Sequence, residues 1–304
     1  MKLLKVSATI LAAWLVLICF ASEASAQPMS GNVNAYGWTF NWAVDSTSGL
    51  RITNLHRNGV KYLHNGSLPG IRVQYDSGCP AFLDRIKWSN IVPDGAGNKV
   101  RITENSEWIT AWVQAEISSY DLTQAWWFHK TQGLMVPEFG SSGLQCTSNH
   151  RHHPIWRFDF DIATSSNNRV QTYNAGVYSW QFNEFNTTKG AVGNDVIIFP
   201  ESDWSIFANL HPNPNDGTAD TFANWDYAGR LYPSFQNDPW APWYGDFDDQ
   251  GDLEAASNPN TSNNGESINI NDVVFWYSAH LAHAASQGGT QWAYVGPVVW
   301  LQDW

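Results

Sequence analysis

The stretch Asn149-His150-Arg151-His152-His153-Pro154-Ile155-Trp156-Arg157-Phe158-Asp159-Phe160-Asp161 decides how the chain is read. After His153, aromatic and β-branched residues alternate with charged ones, which is the two-residue period of a β-strand. On that period His150 and His152 project side by side from one face. Two neutral imidazoles so placed can reach one metal ion, and all-imidazole ligation suits copper, zinc, iron or nickel better than magnesium or calcium. A third ligand has to come from elsewhere in the chain. His153 alternates to the opposite face, which predicts a supporting or surface role for it. Taken alone, a His-x-His is more often solvated loop, so the rest of the chain has to weigh in.

Outward from this stretch the same kind of segment recurs between turns: Trp38 to Val44, Gly70 to Tyr75, Trp108 to Ile117, Ala125 to Phe128, Ile155 to Ile162, Val196 to Phe199, Val273 to Ser278 and Val295 to Leu301. Amphipathic helix patterns are nearly absent, and Pro, Gly and Ser are scattered as turn punctuation with no linker or repeat. The pattern predicts a mainly β protein, a large antiparallel β-sandwich rather than a βαβ fold.

Met1 to Ala26 has the layout of an export leader: Lys2 and Lys5, an apolar run from Ala8 to Ala21, and the small residues Ala24-Ser25-Ala26 before the cut. The run is too short to span a bilayer, and Cys19 within it lacks a lipid-anchoring box, so the expectation is a secreted or periplasmic protein with no membrane anchor. The domain is then 27–304. Losing Lys2, Lys5 and Glu23 takes the formal charge from −12 for the full chain to −13. Such a surface repels nucleic acid and favours cationic ligands, or serves solubility. Two cysteines remain, Cys79 and Cys146, and in an exported chain they most simply form one disulfide; the alternative is two buried thiols.

Several stretches, in order, resemble the C-terminal catalytic domain of the copper amine oxidases. Trp38-Thr39-Phe40, Gly49-Leu50-Arg51-Ile52 and Ser67-Leu68-Pro69-Gly70-Ile71-Arg72-Val73-Gln74-Tyr75-Asp76 are similar to its opening strands. Ser118-Ser119-Tyr120-Asp121-Leu122 sits where the family has its Asn-Tyr-Asp/Glu motif, followed by a strand pair from Ala125 to Phe139. His150-Arg151-His152, with Arg157 and Asp159 downstream, resembles the His-Gln-His copper motif. Asp272-Val273-Val274-Phe275-Trp276-Tyr277, with His283 eleven residues after the Asp, resembles the segment that delivers the third copper ligand. The chain departs from the family at Ser119, in a shortened gap between Tyr120 and His150, in the absence of the family's extra N-terminal domains, and in having no clean counterpart of Tyr-Phe-Asp-x-Gly-Glu-Tyr-Gly.

The resemblance implies a supersandwich-like fold and copper on His150, His152 and His283. It implies that Tyr120 is the precursor of topaquinone and that Tyr75 hydrogen-bonds the quinone. A primary amine, free or peptidyl, and dioxygen would then be the substrates, and aldehyde, ammonia and hydrogen peroxide the products. For the carboxylate that removes the substrate proton the candidate is Asp84, nine residues after Tyr75; its alternative reading is an exposed acid beside Arg85. The family also implies a peripheral calcium or manganese ion on Asp159, Phe160, Asp161, Asp272 and Val273, oxygen ligands that suit hard cations, and a homodimer with its embracing arms reduced.

Two other readings stay open. A copper-binding relative without quinone or amine oxidase activity fits Ser119 and the missing base motif. A carbohydrate-binding β-sandwich fits the 18 Trp and 11 Tyr, with Trp240-Ala241-Pro242-Trp243-Tyr244 as a stacking platform. Asp246-Phe247-Asp248-Asp249-Gln250-Gly251-Asp252 looks like a calcium loop, but Ser257 at its twelfth position replaces the bidentate Glu, which predicts an acidic surface loop.

Overall fold

The computed structural model describes residues 29–44, 49–190, 195–217, 226–231 and 265–302. The leader, the Trp240–Tyr244 platform and the Asp246–Asp252 loop lie outside the described residues. Within them the chain order is β1 (Ser30–Ala35), β2 (Trp38–Val44), β3 (Leu50–Arg57), β4 (Val60–Tyr75), β5 (Phe82–Asp84), β6 (Arg101–Glu104), β7 (Trp108–Ile117), β8 (Tyr120–His129), β9 (Leu134–Gly143) and β10 (His150–Phe160). There follow β11 (Asn168–Asn174), β12 (Val177–Gln181), β13 (Phe185–Thr187), β14 (Asp195–Pro200), β15 (Phe207–Pro212), β16 (Tyr227–Leu231), β17 (Val273–Ser278), β18 (Leu281–His283), β19 (Ala293–Val295) and β20 (Pro297–Gln302). No helix among the described residues is long and apolar enough to cross a membrane.

The strands form two antiparallel sheets of ten. The first runs β1-β2-β3-β4-β10-β17-β16-β13, with β18 on β10 and β5 on β4; the second runs β12-β11-β14-β15-β20-β9-β8-β7-β6, with β19 on β9. They pack face to face through aromatic residues that alternate inward. Phe40 of β2 stacks on Phe128 of β8 at 4.4 Å between centroids, and Trp126 of β8 meets Trp156 of β10 edge-on at 5.2 Å. Trp156 is fully buried, so its truncation to Ala would cost about 3–5 kcal/mol. A polar clamp joins the sheets as well: the Gln124 side chain accepts from Leu50 N and donates to Leu50 O, each at 2.8 Å.

Strand β10 occupies the middle of the first sheet and differs from the sequence reading in two ways. It begins at His150 rather than after His153, because His150, Arg151 and His152 pair with Tyr75, Gln74 and Val73 of β4 on one side and with β18 on the other. Its charged alternate residues do not face water. His153, Arg157 and Asp159 point away from the sandwich interior and are still buried. The stretch expected as one strand from Val295 to Leu301 is two, separated at Gly296, where a Cβ would lie 2.0 Å from Pro137 O.

Candidate metal centre

The site lies where β10, β4 and β18 of the first sheet face β8 and β9 of the second. Register sets it. Tyr75, His150 and His283 are cross-strand partners in one row, and His152, two residues on, shares their inward face. One ring nitrogen from each of His150, His152 and His283 lies within 4.8 Å of the others, and all three residues are buried. His150 Nε2 and His152 Nε2 are 3.1 Å apart. Tyr120 comes from the opposite sheet, with ring centroids 5.5 Å from His150 and 5.0 Å from His152.

Tyr120 is the first residue of β8 and follows a two-residue hairpin, Ser118-Ser119, whose first member has φ +56°. A two-residue β-hairpin needs a left-handed residue at this place, ordinarily Gly or Asn. On the other flank Tyr120 pairs with Gly143, which has φ +107° and whose Cβ would stand 2.1 Å from Ser119 O. The backbone is thus crowded tightly around this one tyrosine. Its hydroxyl shares a 2.5 Å hydrogen bond with that of Tyr75. Burial raises both phenols above their ordinary range.

Burial also lowers the pKa of His150, and that of His152 well below its ordinary value, with the neighbouring imidazoles adding to the effect. The rings are therefore neutral near pH 7 and offer lone pairs. His152 Nδ1 and both ring nitrogens of His283 are buried without a hydrogen-bond partner among the described residues. Buried orphan nitrogens are costly unless something occupies them, and three converging imidazoles fit a transition metal. Ser141 Oγ of β9 reaches His152 Nε2 at 3.2 Å. A cleft of about 180 Å³, lined by Asp76, Asn149, Arg151 and Ala282, opens onto His150 and His283.

Asp84 ends β5, opposite Ile71 of β4. It is half-buried rather than exposed, and burial pushes its carboxyl up to about 6. Its charge raises both Tyr75 and Tyr120. Nearby, Cys79 and Cys146 are joined as a disulfide with their Cα atoms 6.3 Å apart, tying the end of β4 to the approach to β10.

The carboxylates of Asp159, Asp161 and Asp272 also converge, with one oxygen of each within 4.8 Å of the others. Burial and the two neighbouring acids push Asp272 up to about 8. Lys61 Nζ donates to Asp161 Oδ2 at 2.5 Å, and Arg157 Nη1 lies 3.5 Å from Asp159 Oδ2. Of the two expected carbonyl ligands, Phe160 O accepts from Asn168 Nδ2 at 3.3 Å, and Val273 sits between Phe160 and Leu231 in the ladder.

The surface role open to His153 is corrected: it is fully buried. Its Nδ1 lies 2.9 Å from Nδ1 of His280, whose Nε2 lies 3.0 Å from Asp226 Oδ1. With the carboxylate accepting, His280 donates from Nε2, and one of the two facing Nδ1 atoms donates to the other. Sequence reasoning singled out His153 but missed Asp226, because no local pattern links it to the two histidines.

Compared with known proteins, the chain matches no family model and no curated protein. Among solved structures it is similar to an Aspergillus nidulans amine oxidase, with TM-score 0.61 and 15% identity over 87% of this chain and 50% of that one. A copper-containing benzylamine oxidase from Hansenula polymorpha gives TM-score 0.63 and 12% identity over 90% of this chain and 60% of that one. A Pichia pastoris lysyl oxidase gives 0.58 and 11% over 89% and 51%. The chain has the amine oxidase β-sandwich fold and spans about half to three fifths of the length of these proteins.

Proposed function

We propose that this chain is an exported, copper-dependent oxidase of primary amines, small or peptidyl. In this reading His150, His152 and His283 hold copper, Tyr120 is the topaquinone precursor and Asp84 is the substrate base. One observation carries it: three buried imidazoles, two of them with orphaned nitrogens, converge beside a crowded tyrosine whose hydroxyl is held by a second tyrosine. Copper and a quinone would supply the oxidation of the amine by dioxygen. The chain's own part is more limited. Tyr75 fixes the hydroxyl of Tyr120, Asp84 receives a proton, and the two sheets keep water from the tyrosine pair. A carboxyl that titrates near 6 is a carboxylate at neutral pH and still basic enough to take a proton.

The test is the absorption spectrum of the copper-loaded chain before and after phenylhydrazine. A visible band that shifts on hydrazone formation supports the reading. Copper binding with an unmodified Tyr120 by peptide mass, and no peroxide from a panel of amines, gives the copper-only relative instead. Ser119 and the missing base motif are the observations that favour that second reading.

A further inference from the structure

Strand β8 has a second face. Tyr120, Leu122, Gln124, Trp126 and Phe128 point into the sandwich, while Thr123, Ala125 and Trp127 point out of it and line a cavity of about 340 Å³. Cross-strand register shapes this cavity. One row runs Arg101, Trp112, Ala125, Glu138 across β6, β7, β8 and β9. The flanking rows run Thr110, Trp127, Val136 and Thr123, Gly140, Tyr294. Ala125 is therefore the floor, a single methyl between an indole and a carboxylate that stand two strand spacings, roughly 10 Å, apart. Trp127 and Tyr294 close the space along the strands. Gly140 lets the Tyr294 ring lie onto the sheet, since a Cβ there would be 2.6 Å from Tyr294 Cδ1.

The chemistry of the walls selects a charge. Glu138 is half-buried, its Oε1 accepts from Trp127 Nε1 at 3.2 Å, and no cation meets it among the described residues. Burial raises its pKa, as expected for a carboxylate short of a counter-charge. Aromatic rings attract cations through their quadrupole, and the Arg101 guanidinium already lies 4.4 Å over Trp112. The net charge of −12 draws cations toward the surface. A neutral sugar would want indole donors, and that of Trp127 is engaged by Glu138.

We propose that this cavity binds an organic ammonium ion, with Glu138 as counter-charge and Trp112, Trp127 and Tyr294 as its cage. The site is on the opposite face of β8 from Tyr120 and does not depend on oxidase chemistry. A quaternary ammonium has neither an N–H nor a lone pair, so it cannot react as a primary amine.

The test titrates the full chain with choline and with 3,3-dimethylbutan-1-ol, its uncharged isostere, following heat or tryptophan fluorescence. Choline should bind saturably and the alcohol about tenfold more weakly or worse. Glu138→Gln should weaken choline by about tenfold. Ala125→Leu should remove binding by filling the floor; should that variant fail to fold, Glu138→Gln carries the test. His152→Ala should bind choline like the wild type. Equal affinity for the alcohol, an unchanged Glu138→Gln, no saturable choline binding, or saturable binding of a neutral disaccharide in its place would each overturn the proposal.

Discussion

The two ends of β10 carry two clusters of three ligand-type residues, on opposite faces, and they solve the problem of burial differently. At the beginning, His150 and His152, whose pKa values burial lowers, meet His283, and the cost is the orphaned ring nitrogens of His152 and His283. At the end, Asp159 and Asp161 meet Asp272, and the cost is mutual repulsion, answered in part by Lys61 and Arg157. The donors of the first cluster suit a soft or borderline metal; the second already holds two cations of its own and gains less from a third.

The largest effect that would break this contrast is catalytic. Asp84→Asn should depress amine turnover by a factor of roughly 10² to 10⁴ while leaving any visible quinone band in place. In the wild type, kcat/KM should rise with pH through about 6 as Asp84 loses its proton, and the variant should lack that limb. An unchanged rate would remove Asp84 from the chemistry.

Next is metal content. His152→Ala should lose about one equivalent of copper relative to the wild type, since two imidazoles leave a weak site. The paired change Asp161→Asn with Asp272→Asn should leave copper content unaltered. Equal copper in His152→Ala and wild type would dissolve the distinction between the ends.

The disulfide braces only the histidine end. Its residues are separated by 67 positions, for which chain entropy gives on the order of 4 kcal/mol, so reduction should lower Tm by several degrees. Hydrogen exchange should quicken first around His150. Loss of protection first near Asp159 would reverse the assignment.

The smallest effect is calcium. Asp272 is raised above its unfolded value, so its contribution to stability is fully present below about pH 4 and is lost as pH rises through about 8. A divalent cation favours the ionised form, and millimolar calcium should therefore raise Tm by a degree or two more at pH 9 than at pH 6. The same gain at both pH values, or none, would mean that Lys61 and Arg157 suffice.

Much of the sandwich was legible because alternation is local: Trp38–Val44, Trp108–Ile117 and Val273–Ser278 are strands with the bounds their composition predicts. The inward pair His150 and His152 was legible for the same reason. His283 was reached only through spacing that resembles a family, since nothing in Leu281-Ala282-His283 announces a ligand. The burial of His153 was missed because alternation says which face a residue takes and not whether that face is covered. The ammonium cavity was invisible: Trp112, Ala125, Glu138 and Tyr294 lie on four strands and share no local pattern.

The amino-acid sequence by itself determined a β protein, two histidines on one face and a pair of cysteines, while the start of β8 at Tyr120 rather than Ala125 came from the structure. Only the tertiary structure decided that His283 lies opposite His150, that Tyr120 crosses from the other sheet to meet Tyr75, and that Asp226 stands behind His280. The physical reason is that side-chain period is a property of a single strand, whereas register and sheet packing are set by hydrogen-bond ladders and buried surface between strands distant in the chain.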